Sequence, residues 1–156
     1  MLIISIPGYK DLNLKYLVTD LNGTLANNGL IKKTTAFLLN KISQNLKVYI
    51  ITADTFGIAG EVCSSLQAEL TVLKGGGERD EKAAFIKGLG SEETVTLGNG
   101  ANDELMLEQS VLGIVVIGEE GCCTKSLLKS DIVVKDVDDA LRMLLNPDIL
   151  KAALRS

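Results

Sequence analysis

Apolar residues in this chain fall into short runs separated by stretches of a different periodicity. Runs rich in Val, Ile and Leu at 16–20, 47–52, 70–73, 94–98, 112–117 and 131–134 are too short for helices and read as strands. Between them apolar positions recur every three or four residues, predicting helices near 33–44, 56–67, 80–89, 102–109, 123–128 and 137–145. Strands that are apolar at nearly every position bury both faces. Repeated strand–helix units of this kind predict a mainly parallel sheet with helices on both sides and right-handed crossovers. The expected fold class is α/β, a three-layer α/β/α, Rossmann-like arrangement in a single domain over 1–156. Residues 2–7 and 12–19 flank Pro7-Gly8 and predict an N-terminal β-hairpin, an extension over 1–16 whose second arm runs into the strand at 16–20.

In an open parallel sheet the C-terminal ends of the strands line one crevice, where ligands bind. Three predicted strands end on polar segments: Asp20-Leu-Asn-Gly-Thr24, Ile51-Thr52-Ala-Asp54 and Gly98-Asn-Gly-Ala-Asn-Asp103. Lys82 stands at the start of a predicted helix, where the dipole does not favour a cation. Each has an ordinary structural explanation. Asp20 could cap the following turn, Thr52 could start a helix cap at Asp54-Thr55, Lys82 could simply be solvated, and the segment at 98–103 could be a turn with an Asp cap. Gly75-Gly76-Gly77 reads as a strand-to-helix loop, since its spacing is not that of a nucleotide-binding fingerprint.

Composition removes several alternatives. A formal charge of -4 and a pI near 4.9, with only 4% aromatic residues, argue against nucleic acid as a partner. No apolar stretch is long enough to span a bilayer, and Met1–Pro7 is too short and lacks the basic start of a signal peptide. Three cysteines without framework spacing fit a reducing, cytoplasmic setting. Adjacent Cys122 and Cys123 read as small helix-start residues, and Asp136-Val-Asp-Asp139 as an acidic helix N-terminus. The absence of histidine excludes Ser-His and Cys-His nucleophile pairs and leaves carboxylate, lysine or metal chemistry.

The order of these segments resembles the haloacid dehalogenase superfamily, with its Asp-x-Asp-Gly-Thr motif, a second-motif Ser/Thr, a third-motif Lys and a fourth motif Gly-Asp-x-x-Asn-Asp. The resemblance covers residues 16 to about 135. More narrowly, Asp20-Leu-Asn-Gly-Thr-Leu-Ala26, Thr52-Ala-Asp-Thr-Phe-Gly57, Gly98-Asn-Gly-Ala-Asn-Asp-Glu-Leu-Met-Leu107 and Val116-Ile-Gly-Glu-Glu-Gly121 resemble small soluble P-type ATPase-like members, akin to the phosphorylation domain of cation pumps without the membrane part.

That resemblance implies a Mg2+-dependent phosphatase or phosphotransferase acting through an aspartyl-phosphate on Asp20, with Asp20, Asn22, Thr52 and Lys82 as catalytic positions. It implies metal contacts from Asp20, Asn22, Asn99 and Asp103, and phosphate contacts from Thr52, Ala53, Lys82 and Asn102. Lys74 is the alternative third-motif lysine. Two departures matter. Asn22 stands where hydrolytic members carry an acid/base Asp, and an amide has no proton to exchange near neutral pH. Asn99 offers a neutral oxygen where the family pattern has a carboxylate. Hydrolysis is therefore expected to be slow, and the alternative is a weak or inactive binding or regulatory module.

About 27 residues separate Leu25 from Thr52 and about 30 separate Thr52 from Lys82, lengths that ordinary βα units consume. A capless, open crevice is expected. It suits a phosphorylated small molecule or a phosphoprotein, and a homo-oligomer could complete it.

Overall fold

The computed structural model describes residues 1–54 and 57–156. The expected helix start at Thr55 and Phe56 of the second motif lie outside the described residues. Among the described residues eight strands, β1 (Leu2–Ile4), β2 (Leu12–Leu14), β3 (Tyr16–Asp20), β4 (Lys47–Thr52), β5 (Glu69–Val72), β6 (Thr94–Gly98), β7 (Leu112–Val116) and β8 (Ile132–Val134), form two sheets. Helices follow as α1 (Lys33–Ile42), α2 (Ala59–Val62), α3 (Glu78–Leu89), α4 (Glu104–Gln109), α5 (Thr124–Lys129), α6 (Val137–Leu145) and α7 (Pro147–Leu154).

The main sheet has the order β5-β4-β3-β6-β7-β8 and is parallel throughout. The chain moves outward from β3 to β5, then returns to the other side of β3 with β6. Between β3 and β6 lies the point where the strand order reverses, and their C-terminal ends frame the crevice.

Alternation along the strands builds the layers. Leu17 on β3 and Val48 and Ile50 on β4 join a core with Leu39 and Ile42 of α1 and Ala140, Leu141 and Leu144 of α6. Their neighbours Val18, Tyr49 and Ile51 point to the opposite face, where Ile86 of α3 and Met106 of α4 cover them. Both faces of the sheet are thus dry.

The N-terminal hairpin is present but shorter than expected. β1 and β2 pair Leu2 with Leu14 and Ile4 with Leu12, and form their own small sheet. The second arm does not run on into β3. At Lys15 the backbone turns to other partners, its N–H donating to Glu93 O at 2.8 Å and its carbonyl accepting from Lys47 N at 2.9 Å.

Two helices differ from the pattern. Among the described residues the helix expected over 56–67 shortens to α2, where Asn40 captures the chain that follows, accepting from Gln67 N at 2.7 Å and donating to Ser65 O at 3.1 Å. α7 was not expected from the apolar periodicity. Its signals are local: Asn146 accepts from Asp148 N, Pro147 occupies the first turn, and Leu150 is fully buried.

α4 packs closely on β7 because Gly113 has no side chain. A Cβ there would stand 2.4 Å from the Leu107 carbonyl oxygen, a backbone atom that cannot swing aside. Gly113→Ala should therefore cost ~1–3 kcal/mol of stability in urea denaturation, as overpacking does; a variant as stable as the parent would mean that α4 does not need to sit this close.

Candidate functional site

Asp20 ends β3 at the sheet centre and is 7% exposed. The loop after it is tight: Gly23 sits at φ +79°, its N–H donates to Ala26 O at 2.9 Å, and Ala26 N–H donates to Leu21 O at 2.8 Å. That turn needs glycine's freedom in the left-handed region. It brings Thr24 back beneath the strand end, its hydroxyl 3.5 Å from Asp20 Oδ2 and donating to Asn99 Oδ1 at 3.2 Å.

Lys82, on α3, is completely buried, and its Nζ lies between two carboxylates, 2.7 Å from Asp20 Oδ1 and 2.6 Å from Asp103 Oδ1. A buried ammonium survives only where such partners offset its desolvation. Burial pulls the Lys82 pKa down, but the two carboxylates outweigh it and hold the amine protonated. Lys74 is exposed and lies outside this cluster; its backbone N–H donates to Glu81 Oε2 at 3.2 Å.

Asp103 is fully buried and both its oxygens are engaged. Oδ1 meets Lys82, and Oδ2 accepts from the backbone N–H groups of Asn99 and Gly100, each at 2.9 Å. Asp103 can come this close only because β6 ends in Gly98, where a Cβ would stand 2.6 Å from Asp103 Cβ. The carboxylate therefore shapes the loop after β6 and locks Lys82 to it.

Thr52, at the end of β4, is buried, and its hydroxyl accepts from Asp54 N at 3.1 Å. Asp54, at φ +45°, in turn accepts from the N–H groups of Ile58 and Ala59. Ala53 is the half-buried link between them. Asn102 donates to Glu78 Oε2 at 3.0 Å at the start of α3. Asn22 is exposed at the rim. Around the triglycine loop, α3 opens with Glu78, Asp80 and Glu81, an acidic turn that is unfavourable for a phosphate cradle.

Burial, then repulsion from Asp103, pushes the Asp20 pKa up to about 7, against the pull of Lys82. Without a bound metal ion the carboxylate at the crevice floor takes up a proton more readily than an ordinary aspartate. Among the described residues no three Asp, Glu or Cys side chains gather into a metal-ligating group. The available oxygens are the Asp20 carboxylate, Asn99 Oδ1 and the Asn22 carbonyl, to which no backbone amide among the described residues donates. A sparse oxygen set suits Mg2+, which keeps several waters and takes one or two carboxylates together with substrate phosphate.

Glu120 belongs to the site and was not singled out from the sequence. Its Oε1 accepts from Asn99 Nδ2 at 2.9 Å and overhangs Gly23. It also borders an open cleft of about 530 Å³ lined by Asn22, Ala26, Asn28 and Ile58. Two signals were available: the segment Val116–Gly121 is part of the resemblance, and Gly118-Glu-Glu-Gly121 follows β7 and therefore opens onto the same end of the sheet.

Lys82→Met would leave Asp20 and Asp103 buried without their shared counter-ion and should cost ~3–5 kcal/mol, part of it regained in Lys82→Met/Asp20→Asn. The Asp20 pKa rises from an ordinary 3.8 to about 7, so the folded state binds the proton more tightly. Stability in magnesium-free buffer should then fall as pH rises from about 4 to about 7 and level off above. Denaturation midpoints of wild type against Asp20→Asn check the sign: equal slopes across that window would rule out Asp20 as its source.

No protein-family model matches the chain. It is 48% identical over 86 residues to the uncharacterized protein MJ0073 of Methanocaldococcus jannaschii, an alignment spanning 53% of this chain and 92% of that protein. It is 31% identical over 103 residues to the phosphoserine phosphatase of the same organism, 64% of this chain but only 46% of the phosphatase. Among solved structures, 3-deoxy-D-manno-octulosonate 8-phosphate phosphatase from Moraxella catarrhalis, in complex with magnesium, phosphate and the sugar, superposes with a TM-score of 0.71 at 16% identity over 90% of this chain and 92% of that one. A Legionella pneumophila protein assigned to subfamily III A of the HAD superfamily hydrolases gives 0.72 at 17% identity, over 90% and 87%. The catalytic domain of the CPx-ATPase CopB-B gives 0.61 at 19% identity over 74% of this chain and 45% of that one. These likenesses identify the architecture: the chain belongs to one family with MJ0073, and its fold is that of the haloacid dehalogenase superfamily.

Proposed function

We propose that the protein is a magnesium-dependent phosphoryl-transfer enzyme, a phosphatase or phosphotransferase, with Asp20 as nucleophile. The observation that carries this reading is the buried Asp20–Lys82–Asp103 cluster at the point where the strand order reverses. The phosphate complex of the structurally similar octulosonate phosphatase supports the same chemistry.

An ionised Asp20 oxygen attacks phosphorus, the bond from phosphorus to the leaving oxygen breaks, and the leaving group takes up a proton. Water then cleaves the aspartyl-phosphate to release inorganic phosphate. Lys82 Nζ, 2.7 Å from Asp20, offsets the charge that builds on the transferring group. Thr52, with Ala53 beside it, and Asn102 are assigned to its outer oxygens. Asp20, the Asn22 carbonyl and Asn99 would hold Mg2+, which when bound neutralises phosphate charge. Asp103, expected as a metal contact, acts instead at one remove, because both its oxygens are taken in fixing Lys82 and the Asn99–Gly100 backbone. Asn22 cannot protonate the leaving group or activate water, so attack is retained while release of phosphate is slow.

The open crevice admits a phosphorylated small molecule or a phosphorylated side chain of a protein. Phosphate release from a panel of phosphate esters should require Mg2+ and vanish in Asp20→Asn. Asn22→Asp should accelerate turnover by ~10²-fold or more. Equal background rates for wild type and Asp20→Asn, together with failure to retain beryllium fluoride, would favour a non-catalytic binding module instead.

A further inference from the structure

We propose that Glu120 is a positioning residue for the cation of this site: it holds the Asn99 amide with its oxygen toward Asp20 and returns to the crevice the negative charge that amides at 22 and 99 withhold. The inference rests on the magnesium-dependent reading above.

A carboxylate only accepts hydrogen bonds, so the group 2.9 Å from Glu120 Oε1 must be the Asn99 nitrogen. The Gly121 carbonyl, at 3.4 Å, adds a weaker acceptor on the same side. Asn99 Oδ1 is thereby turned inward, to Thr24 and the Asp20 side of the crevice. An asparagine ligand without such a partner could present either end to the cation. Fixing a ligand's orientation through its far atom is a recurrent way of tuning metal sites.

The loop carrying the nucleophile is shaped around this pair. At Gly23 a Cβ would stand 1.9 Å from Glu120 Oε1 and 2.5 Å from Asn99 Nδ2. Gly23 thus serves two demands, the left-handed turn and the space for a carboxylate above it. Glu120 and Asn99 also exclude an aspartate at 99, which would set two carboxylates about 2.9 Å apart. One negative charge is accommodated across the two positions, and here it sits on the loop after β7 instead of the loop after β6.

Titration of the full chain with Mg2+ alone, read by calorimetry and by the metal-dependent rise in melting temperature, tests the proposal without reference to turnover. Glu120→Gln should weaken Mg2+ binding by ~10–100-fold, whereas Glu119→Gln, one residue away and equal in charge change, should leave it unaltered. Asn99→Asp alone should lower the melting temperature of the magnesium-free protein. Asn99→Asp/Glu120→Gln should recover Mg2+ affinity, because the charge moves back to 99 and the introduced glutamine donates to it. Undiminished binding in Glu120→Gln, or a double variant no better than Glu120→Gln, would overturn the role of Glu120 and leave the phosphoryl-transfer reading intact. Wild type that takes up no Mg2+ would overturn both.

Discussion

The ammonium of Lys82 is the one cation held in the dry interior among the described residues, and the crevice is organised by its need for two carboxylates. An unpaired charge there would be prohibitively costly, so three separate elements must meet to within hydrogen-bonding distance. β3 must deliver Asp20, α3 must deliver Lys82, and the loop after β6 must fold back far enough to bring Asp103 down. That last demand explains Gly98, whose missing side chain leaves the space Asp103 fills, and the two backbone amides that hold the other Asp103 oxygen. The cluster is therefore a fold constraint before it is a chemical device. It conserves the relative position of β3, α3 and β6 as strictly as the apolar layers do.

Topology turns that constraint into a site. β3 and β6 are neighbours in space but distant in the chain, and the helices that follow them leave in opposite senses. The gap between them is the part of the sheet edge that no crossover covers. Asp20 at the end of β3 is then buried on its flanks and open toward the crevice, which raises its pKa and keeps it reachable.

Much of this was legible in the sequence, for a physical reason. Strands buried on both faces are apolar throughout, and the residue that ends such a run lies at the crevice by geometry alone, so Asp20, Thr52 and the segment from Gly98 to Asp103 were visible without any contact being known. What escaped depends on contacts between elements. Asn40 shortens the expected second helix by binding backbone at 65 and 67, an interaction between segments that periodicity cannot register. The continuous second hairpin arm fails at Lys15 because its backbone bonds lie with Glu93 and Lys47. α7 escaped for the opposite reason, since its evidence is a cap, a proline and one buried leucine, too little for a periodic signal. Glu120 lies inside a segment of the resemblance and after a strand end, but its part in the site depends on its approach to Asn99, which no sequence pattern registers.

The charges at the rim give these substitutions a common sense. A phosphate dianion approaching the sheet edge meets Asp20 and Asp103 offset by the single positive charge of Lys82, with Glu120 above and the acidic first turn of α3 to one side. Further carboxylates at 22 and 99 would strengthen cation capture while opposing that anion at short range. The amide at 99 only moves a charge to Glu120, whereas the amide at 22 removes one outright, and that loss falls unevenly on the two halves of the proposed reaction. In the proposed reaction, attack needs only Asp20, Lys82 and a shielded phosphate. Release needs a group at 22 that can take a proton from water, and an amide has no such capacity. On the proposed reading the arrangement favours a phosphorylated Asp20 that persists, a property suited to transfer or signalling and not to rapid hydrolysis.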